Sequence, residues 1–258
     1  MSSAVASLAA GSARASARLW EATLIRTFTT DDRALLYLLQ VASAAFPTGS
    51  FAHSFGFETL VADGEIDDAD SLEEHAHLWL RYGVAPLDGA AVALAHASSS
   101  AGDVGALATL DSTLSAIKLP RETHEASLKT GNAFLRSAQA AFAGGGLARY
   151  EAAVRDGRCE GHAATAFGVA AADARVDATT AVVTYLQTSF ANLVGVVGRL
   201  VPLGQNDVQR ITAHAHDRVI SCADLAITFG QADLASCTPF LDLASMRHQH
   251  LYSRLCIS

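Results

Sequence analysis

Apolar positions recur along the chain with helical spacing almost throughout, and alternating Val/Ile/Thr/aromatic runs bounded by hairpin turns are missing. The pattern predicts an all-α protein: a single-domain bundle of about ten helices over residues 33–258, behind a separate extension at 1–32. A first helix is expected over Asp32–Ala45, with Leu35, Leu36, Leu38, Leu39 and Val41 spread around it, and a second over Ser50–Ala62, stopped by Asp63-Gly64. Ser71-Leu72-Glu73-Glu74 has the form of a capping box. It opens a helix with Leu72, Leu78, Trp79 and Tyr82 as core candidates. Pro86 is expected to break that helix, and Asp88 to cap the next, to about Ala97. Ser98–Gly102 reads as a loop, followed by a helix over Val104–Ile117.

Pro120 suits the first turn of a long helix to about Ala143, and Gly144-Gly145-Gly146 reads as a mobile connector. Further helices are expected over Tyr150–Arg155, His162–Ala172, Ala178–Leu200, Asn206–Phe229 and from Ser236 to near the end. Ala178–Leu200 is apolar on most sides, which marks a central helix. Val201–Asp207 is a tight break, with Asn206 placed to cap the next helix.

Composition narrows the function. Half the residues are hydrophobic and 17% are charged, so the chain has the means to bury a core. A net charge of −8 argues against nucleic-acid binding, which draws most of its affinity from a basic surface. Lys118 and Lys129 are the only lysines, so 16 of 18 basic residues are arginine, the better residue for planar protein contacts. Cys159, Cys222, Cys237 and Cys256 lie 63, 15 and 19 residues apart, which fits neither a zinc motif nor a small disulfide scaffold. A reducing compartment, the cytoplasm, is the expected location. No uninterrupted apolar run approaches the ~20 residues of a membrane span, so no membrane is expected. The Ala/Ser-rich first 30 residues carry Arg14, Arg18 and Arg26 and no acid before Glu21; they read as a flexible, weakly helical extension or as a transit-like segment.

Chemistry is sparse. A Walker A lysine, His-Glu-x-x-His and Gly-x-Ser-x-Gly are all missing. The pairs His75/His77, His214/His216 and His248/His250 point about 200° apart on a helix and cannot easily share a metal. Only His248/His250, near the end of the chain, remains as a possible chelator. Phe46–Glu58 is the most distinctive stretch: four of the chain's 11 phenylalanines surround Ser50, His53, Ser54 and Glu58, which would share one face of the second helix at i, i+3, i+4 and i+8. A Ser–His–acid catalytic set would draw on different elements, so catalysis is disfavoured against a packing role or a surface facing a partner or a channel. The final segment, Met246–Ser258, holds Leu251, Tyr252, Leu255 and Ile257 with Arg247 and Arg254. That is adhesive composition for a chain end, which docks on its own core or on a partner.

Four ordered stretches carry a resemblance. Leu38-Leu39-Gln40-Val41 leading into Phe46–Glu58, Gly161-His162 with Phe167–Ala170, Asn192-Leu193-Val194 followed by Val201–Gln205, and His248 through Leu251–Leu255 together resemble the urease accessory protein UreF family over about residues 33–258. The resemblance implies a non-enzymatic homodimer without catalytic residues, metal ligands or a bound cofactor. It also implies binding of UreD (also called UreH), with which the family recruits the GTPase UreG that carries nickel to apo-urease; nickel and GTP are handled by that complex. Partner contacts are expected at Pro47, Gly49, Ser50, His53, Ser54, Gly56 and Glu58, at Gln205, Asn206 and Asp207, and at His248, Leu251, Tyr252, Ser253, Arg254 and Leu255. Homodimer contacts are expected at Val183, Gln187 and Phe190. Two departures stand out: His124 where the family commonly has Arg, and Gln249 where it often has Glu; both bear on ion pairs at those points. The alternatives are a small-molecule enzyme using His53 and Glu58, and a metal-storage chaperone using His248 and His250.

Overall fold

The structure, a computed structural model, describes residues 32–142 and 144–258; the N-terminal extension lies outside them. The described chain is helical, with no strand among the described residues. Helix α1 (Asp32–Val41) buries Ala34, Tyr37, Leu38 and Val41 and leaves Leu36 and Leu39 exposed. The expected second helix divides. Ser50–Ala52 is a single 3-10 turn, Phe55 and Gly56 take left-handed conformations (φ 52° and 90°), and α2 covers only Phe57–Ala62. Ser50, His53, Ser54 and Glu58 therefore do not share one helical face.

Helix α3 (Ala69–Trp79) begins a turn earlier than expected. Asp68 is its cap: Ser71 N–H donates to Asp68 Oδ1 at 2.8 Å, and Asp68 N–H donates back to Ser71 Oγ at 3.1 Å. Leu72 and Trp79 are buried, but Leu78 and Tyr82 are not core residues. Pro86 breaks nothing. A π-helical stretch, Leu80–Gly89, absorbs it and runs straight into α4 (Ala90–Ala101). In a π-helix each N–H reaches back five residues, as Ala90 does to Ala85, so the wider turn accommodates a ring that an α-turn would reject. The Ser98–Gly102 loop is thus the end of α4, closed by Gly102.

Helix α5 (Val104–Ile117) is capped by Asp103, and α6 spans Arg121–Ala141 behind Pro120. Helix α7 (Gly145–Arg155) starts within the glycine run, where Asp173 accepts from Gly146 N–H at 3.0 Å and Leu147 N–H at 2.7 Å. The run is a fastened helix start, not a connector. Helices α8 (Ala163–Asp173) and α9 (Ala178–Leu200) come next. The expected helix over Asn206–Phe229 is two, α10 (Gln205–His214) and α11 (His216–Ala226). Gly204, not Asn206, occupies the cap position of α10, without a side-chain cap bond. Last comes α12 (Pro239–His248), then an irregular tail.

Helix α9 is the axis of the core: Val182, Leu186, Phe190, Val194 and Val197 are wholly buried. By length and composition it could cross a membrane; half of its most apolar stretch is buried within this fold, as a central helix requires. Close packing elsewhere depends on small residues. A Cβ on Gly131 of α6 would lie 2.1 Å from the Gly161 carbonyl oxygen, so that helix and the loop before α8 approach backbone to backbone.

Candidate functional site

The Phe46–Glu58 junction and the tail, flagged separately from the sequence, are one structure. Ser54 N–H and Ser54 Oγ–H both donate to the Ser258 backbone oxygen, at 2.5 and 2.9 Å. His53 Nδ1 lies 2.7 Å from Ser258 Oγ, and Ile257 N–H donates to Ala52 O at 2.7 Å. Glu58 completes the grip: its Oε1 accepts from Leu255 N–H at 2.6 Å and its Oε2 from Cys256 N–H at 2.9 Å. The geometry depends on the left-handed pair before α2. A Cβ on Gly56 would lie 2.7 Å from Leu241 O and 2.9 Å from Ser245 N, so glycine lets α2 begin directly against α12.

His248, fully buried at the end of α12, links the grip to α6. Its Nε2 is 2.9 Å from Glu58 Oε2 and its Nδ1 is 2.7 Å from Glu122 Oε2. Both nitrogens face carboxylate oxygens, so the ring bridges Glu58 and Glu122. Burial pushes the Glu58 carboxyl up, but the bonds from His248, Leu255 and Cys256 outweigh it and hold Glu58 below its ordinary value. Burial, assisted by Lys129 and opposed by Glu122, lowers His53. Arg254 adds a long contact to Glu122 at 3.5 Å, and Arg247 pairs with Asp63 at 2.5 Å.

The predicted contact residues separate into two kinds. His53, Ser54, Gly56, Glu58 and His248 are buried, so they offer no surface of their own to a partner. Tyr252, Ser253, Arg254 and Leu255 are exposed, Tyr252 completely and Leu255 to 79%, while Leu251 is half-buried. Pro47 and Gly49 are exposed and Ser50 half-buried. Gln205 and Asn206 are exposed at the start of α10, and Asp207 there faces Arg210 at 3.8 Å. Of the expected dimer residues, Phe190 is wholly inside the core, stacked on His77 at 5.7 Å between ring centroids. It offers no surface to a second copy. Val183 and Gln187 are half-buried.

Neither alternative chemistry is assembled. His53 and Glu58 are engaged with different atoms of the tail. His248 has both nitrogens occupied inside the fold while His250 is exposed, so the two do not chelate together. Ser50 and His53 do help to wall a cavity of about 170 Å³, which Trp79, Lys118, Thr123 and Asn192 also line. Lys118 there forms a buried ion pair with Asp88 at 2.8 Å. Glu122 escaped the sequence reading as a functional residue; its position before the departure at His124 was the one available signal. All four cysteines are free thiols, Cys159 and Cys222 buried.

The UreF family model matches residues 66–216. A urease accessory protein UreF of Rhodopseudomonas palustris (strain HaA2) is 36% identical over 230 residues, 88% of this chain and 95% of that protein. The UreF proteins of Paenarthrobacter aurescens (strain TC1) and Arthrobacter sp. (strain FB24) are 34% and 33% identical, each over 86% of this chain and 97% and 96% of their own lengths. With a family model covering more than half the chain and relatives of this identity matched over nearly their whole lengths, the chain belongs to the urease accessory protein UreF family.

Proposed function

We propose that this chain is a scaffold for urease maturation, not an enzyme. In this reading its tail docks UreD, and the two together recruit the GTPase UreG, which carries nickel to apo-urease in the cytoplasm. The chain works as a homodimer, and GTP and nickel are handled by the complex. The observation that carries the reading is the division of labour in the tail. Backbone groups of Leu255, Cys256, Ile257 and Ser258 are tied to Glu58, Ala52 and Ser54, while the side chains of Tyr252, Leu255 and Ile257 face outward. A fixed backbone displaying an aromatic and aliphatic set has the form of a protein-binding hot spot. A passage for nickel along the junction is the second role of the same residues, supported by the cavity beside Ser50 and His53.

The test is a Tyr252→Ala/Leu255→Ala double variant mixed with UreD. Both side chains are exposed, so helical circular dichroism should be unchanged while affinity falls roughly 30-fold or more, the effect of losing one hot spot. An Ile220→Ala variant, exposed on α11, is the control. Co-purification of the double variant at wild-type levels would end the scaffold reading of the tail.

A further inference from the structure

Away from the junction, α5, α6 and the loop before α8 bring three metal-competent side chains together. The donor atoms of His124, Glu160 and His162 lie within 4.8 Å of one another. Ser115 Oγ sits among them, 3.1 Å from His124 Nε2, 2.8 Å from His162 Nε2 and 2.5 Å from Glu160 Oε2. Three polar groups, one from α6 and two from the loop before α8, thus converge on one small hydroxyl of α5.

The surroundings are built to hold the three in place. His162 Nδ1 is 2.9 Å from Ser127 Oγ. Metal binding at Nε2 requires the tautomer in which Nδ1–H donates to Ser127 Oγ, the outer-sphere arrangement that orients ligating imidazoles. The loop carrying Glu160 and His162 is anchored from below by buried Asp111, whose Oδ2 accepts from Glu160 N–H at 2.8 Å, Gly161 N–H at 2.9 Å and Tyr150 Oη–H at 2.8 Å. Asn132 Nδ2 donates to the Glu160 carbonyl at 3.2 Å. His162 is fully buried, Ser115 and His124 are half-buried and Glu160 is exposed, so the cluster opens to solvent on one side. Lys118, the cation whose charge reaches His162, is itself paired with Asp88.

We propose that His124, Glu160 and His162 bind a divalent first-row transition ion of the nickel or zinc kind, with the Ser115 hydroxyl or a water completing the coordination. Two imidazoles and one carboxylate suit such an ion; calcium and magnesium prefer all-oxygen sets. Metal–nitrogen bonds of about 2.0–2.1 Å place tetrahedral ligands about 3.4 Å apart. The donors, now within 4.8 Å of one another, close inward on binding, and exposed Glu160 and half-buried His124 have the rotational freedom to do so while Ser115 turns aside.

Equilibrium dialysis of the purified full chain against Ni²⁺ and against Zn²⁺, without partners, tests the site independently of the scaffold reading. One tight equivalent per chain is expected. His124→Ala and Glu160→Gln should each abolish it with unchanged circular dichroism, and Ser127→Ala should weaken it about 10–100-fold through the second sphere. His250→Ala, outside the cluster, should retain it. Should His124→Ala disturb folding, Glu160→Gln decides, because that side chain is exposed. No bound equivalent in the wild type, or full retention in Glu160→Gln, overturns the proposal and leaves a hydrogen-bonded cluster only.

Discussion

Replacing Glu58 with Gln preserves size and shape and changes only charge and acceptor count. The carboxylate takes three donors: Leu255 N–H on Oε1, and Cys256 N–H and His248 Nε2 on Oε2. An amide offers one acceptor oxygen and one donor nitrogen. Whichever way it is turned, at least one of the three donors faces N–H₂. One charge-assisted bond is lost, about 1.5–3 kcal/mol, and the others fall toward neutral strength, about half. Water reaches exposed Leu255 and recovers part of the loss, leaving about 3 kcal/mol, on the order of 100-fold in the opening equilibrium of the tail. Amide hydrogen exchange at Leu255 and Cys256 reads this directly, with the core amides of α9 as internal reference. Acid supplies a second signature. Glu58 is depressed in the fold, so its stabilisation is fully present above its unfolded value of about 4.3 and is lost as pH falls through the folded value. The exchange ratio between variant and wild type should therefore be about 100-fold at neutral pH and shrink toward one in acid. Equal protection of Leu255 and Cys256 in the two proteins at neutral pH would refute the grip; an undiminished ratio in acid would refute its electrostatic origin.

Substitutions at two positions test the support beneath the His124–Glu160–His162 cluster. Gly131→Ala places a methyl 2.1 Å from Gly161 O and 2.5 Å from Ala163 N; both atoms are backbone, so α6 and the loop must separate. A loss of at least about 1–3 kcal/mol is expected in urea unfolding, and an unchanged midpoint would contradict the close approach. Asp111→Ala strands the Tyr150 hydroxyl and two backbone N–H groups, at about 1–3 kcal/mol each. Burial raises the Asp111 carboxyl against the bonds from Gly161, Tyr150 and Glu160, so the neutral acceptor of Asp111→Asn should lose far less than Ala; equal losses in unfolding experiments would exclude the acceptor role.

The all-helical fold and the central place of α9 were legible because helical periodicity and an all-round apolar surface are local properties. Boundaries were less so, for reasons visible at particular residues. Asp68 and Ser71 compete as caps within four residues, and reciprocal bonding selects Asp68. Pro86 is a helix breaker in an α-turn and not in the π-helical stretch that holds it here. Nothing local announced that Phe55 would turn left-handed beside Gly56, and that one feature divides the expected polar stripe between a turn and a helix. Both halves of the candidate site were flagged, but their union was not: Ser54 and Ser258 are 204 residues apart, and Glu58 and Cys256 are 198 apart. The same limit hid the His124–Glu160–His162 cluster: His124 and His162 each stood out in the sequence, but nothing there joins them until α6 and the loop before α8 meet at Gly131.

Joining junction and tail changes what the polar residues of the junction are for. A free peptide end loses about 1–2 kcal/mol of backbone entropy per residue when it is ordered on a partner. Here Leu255–Ser258 are already ordered by Glu58, Ala52 and Ser54, so several kcal/mol of that cost are met by folding and not at binding. In the proposed scaffold, buried side chains of the junction would thus set the affinity of an interface they never touch. The shape of the tail supports this division: the backbone turns inward at residues 255–258, and the exposed side chains before and among them, Tyr252, Leu255 and Ile257, make no demand on the core. His248 extends the arrangement to Glu122 on α6, so displacing the tail disturbs a carboxylate–imidazole–carboxylate chain that joins three helices, α2, α12 and α6. Under the proposed docking role, a partner that seized the tail by its outward side chains would pull on that chain, connecting the tail mechanically to the helical body.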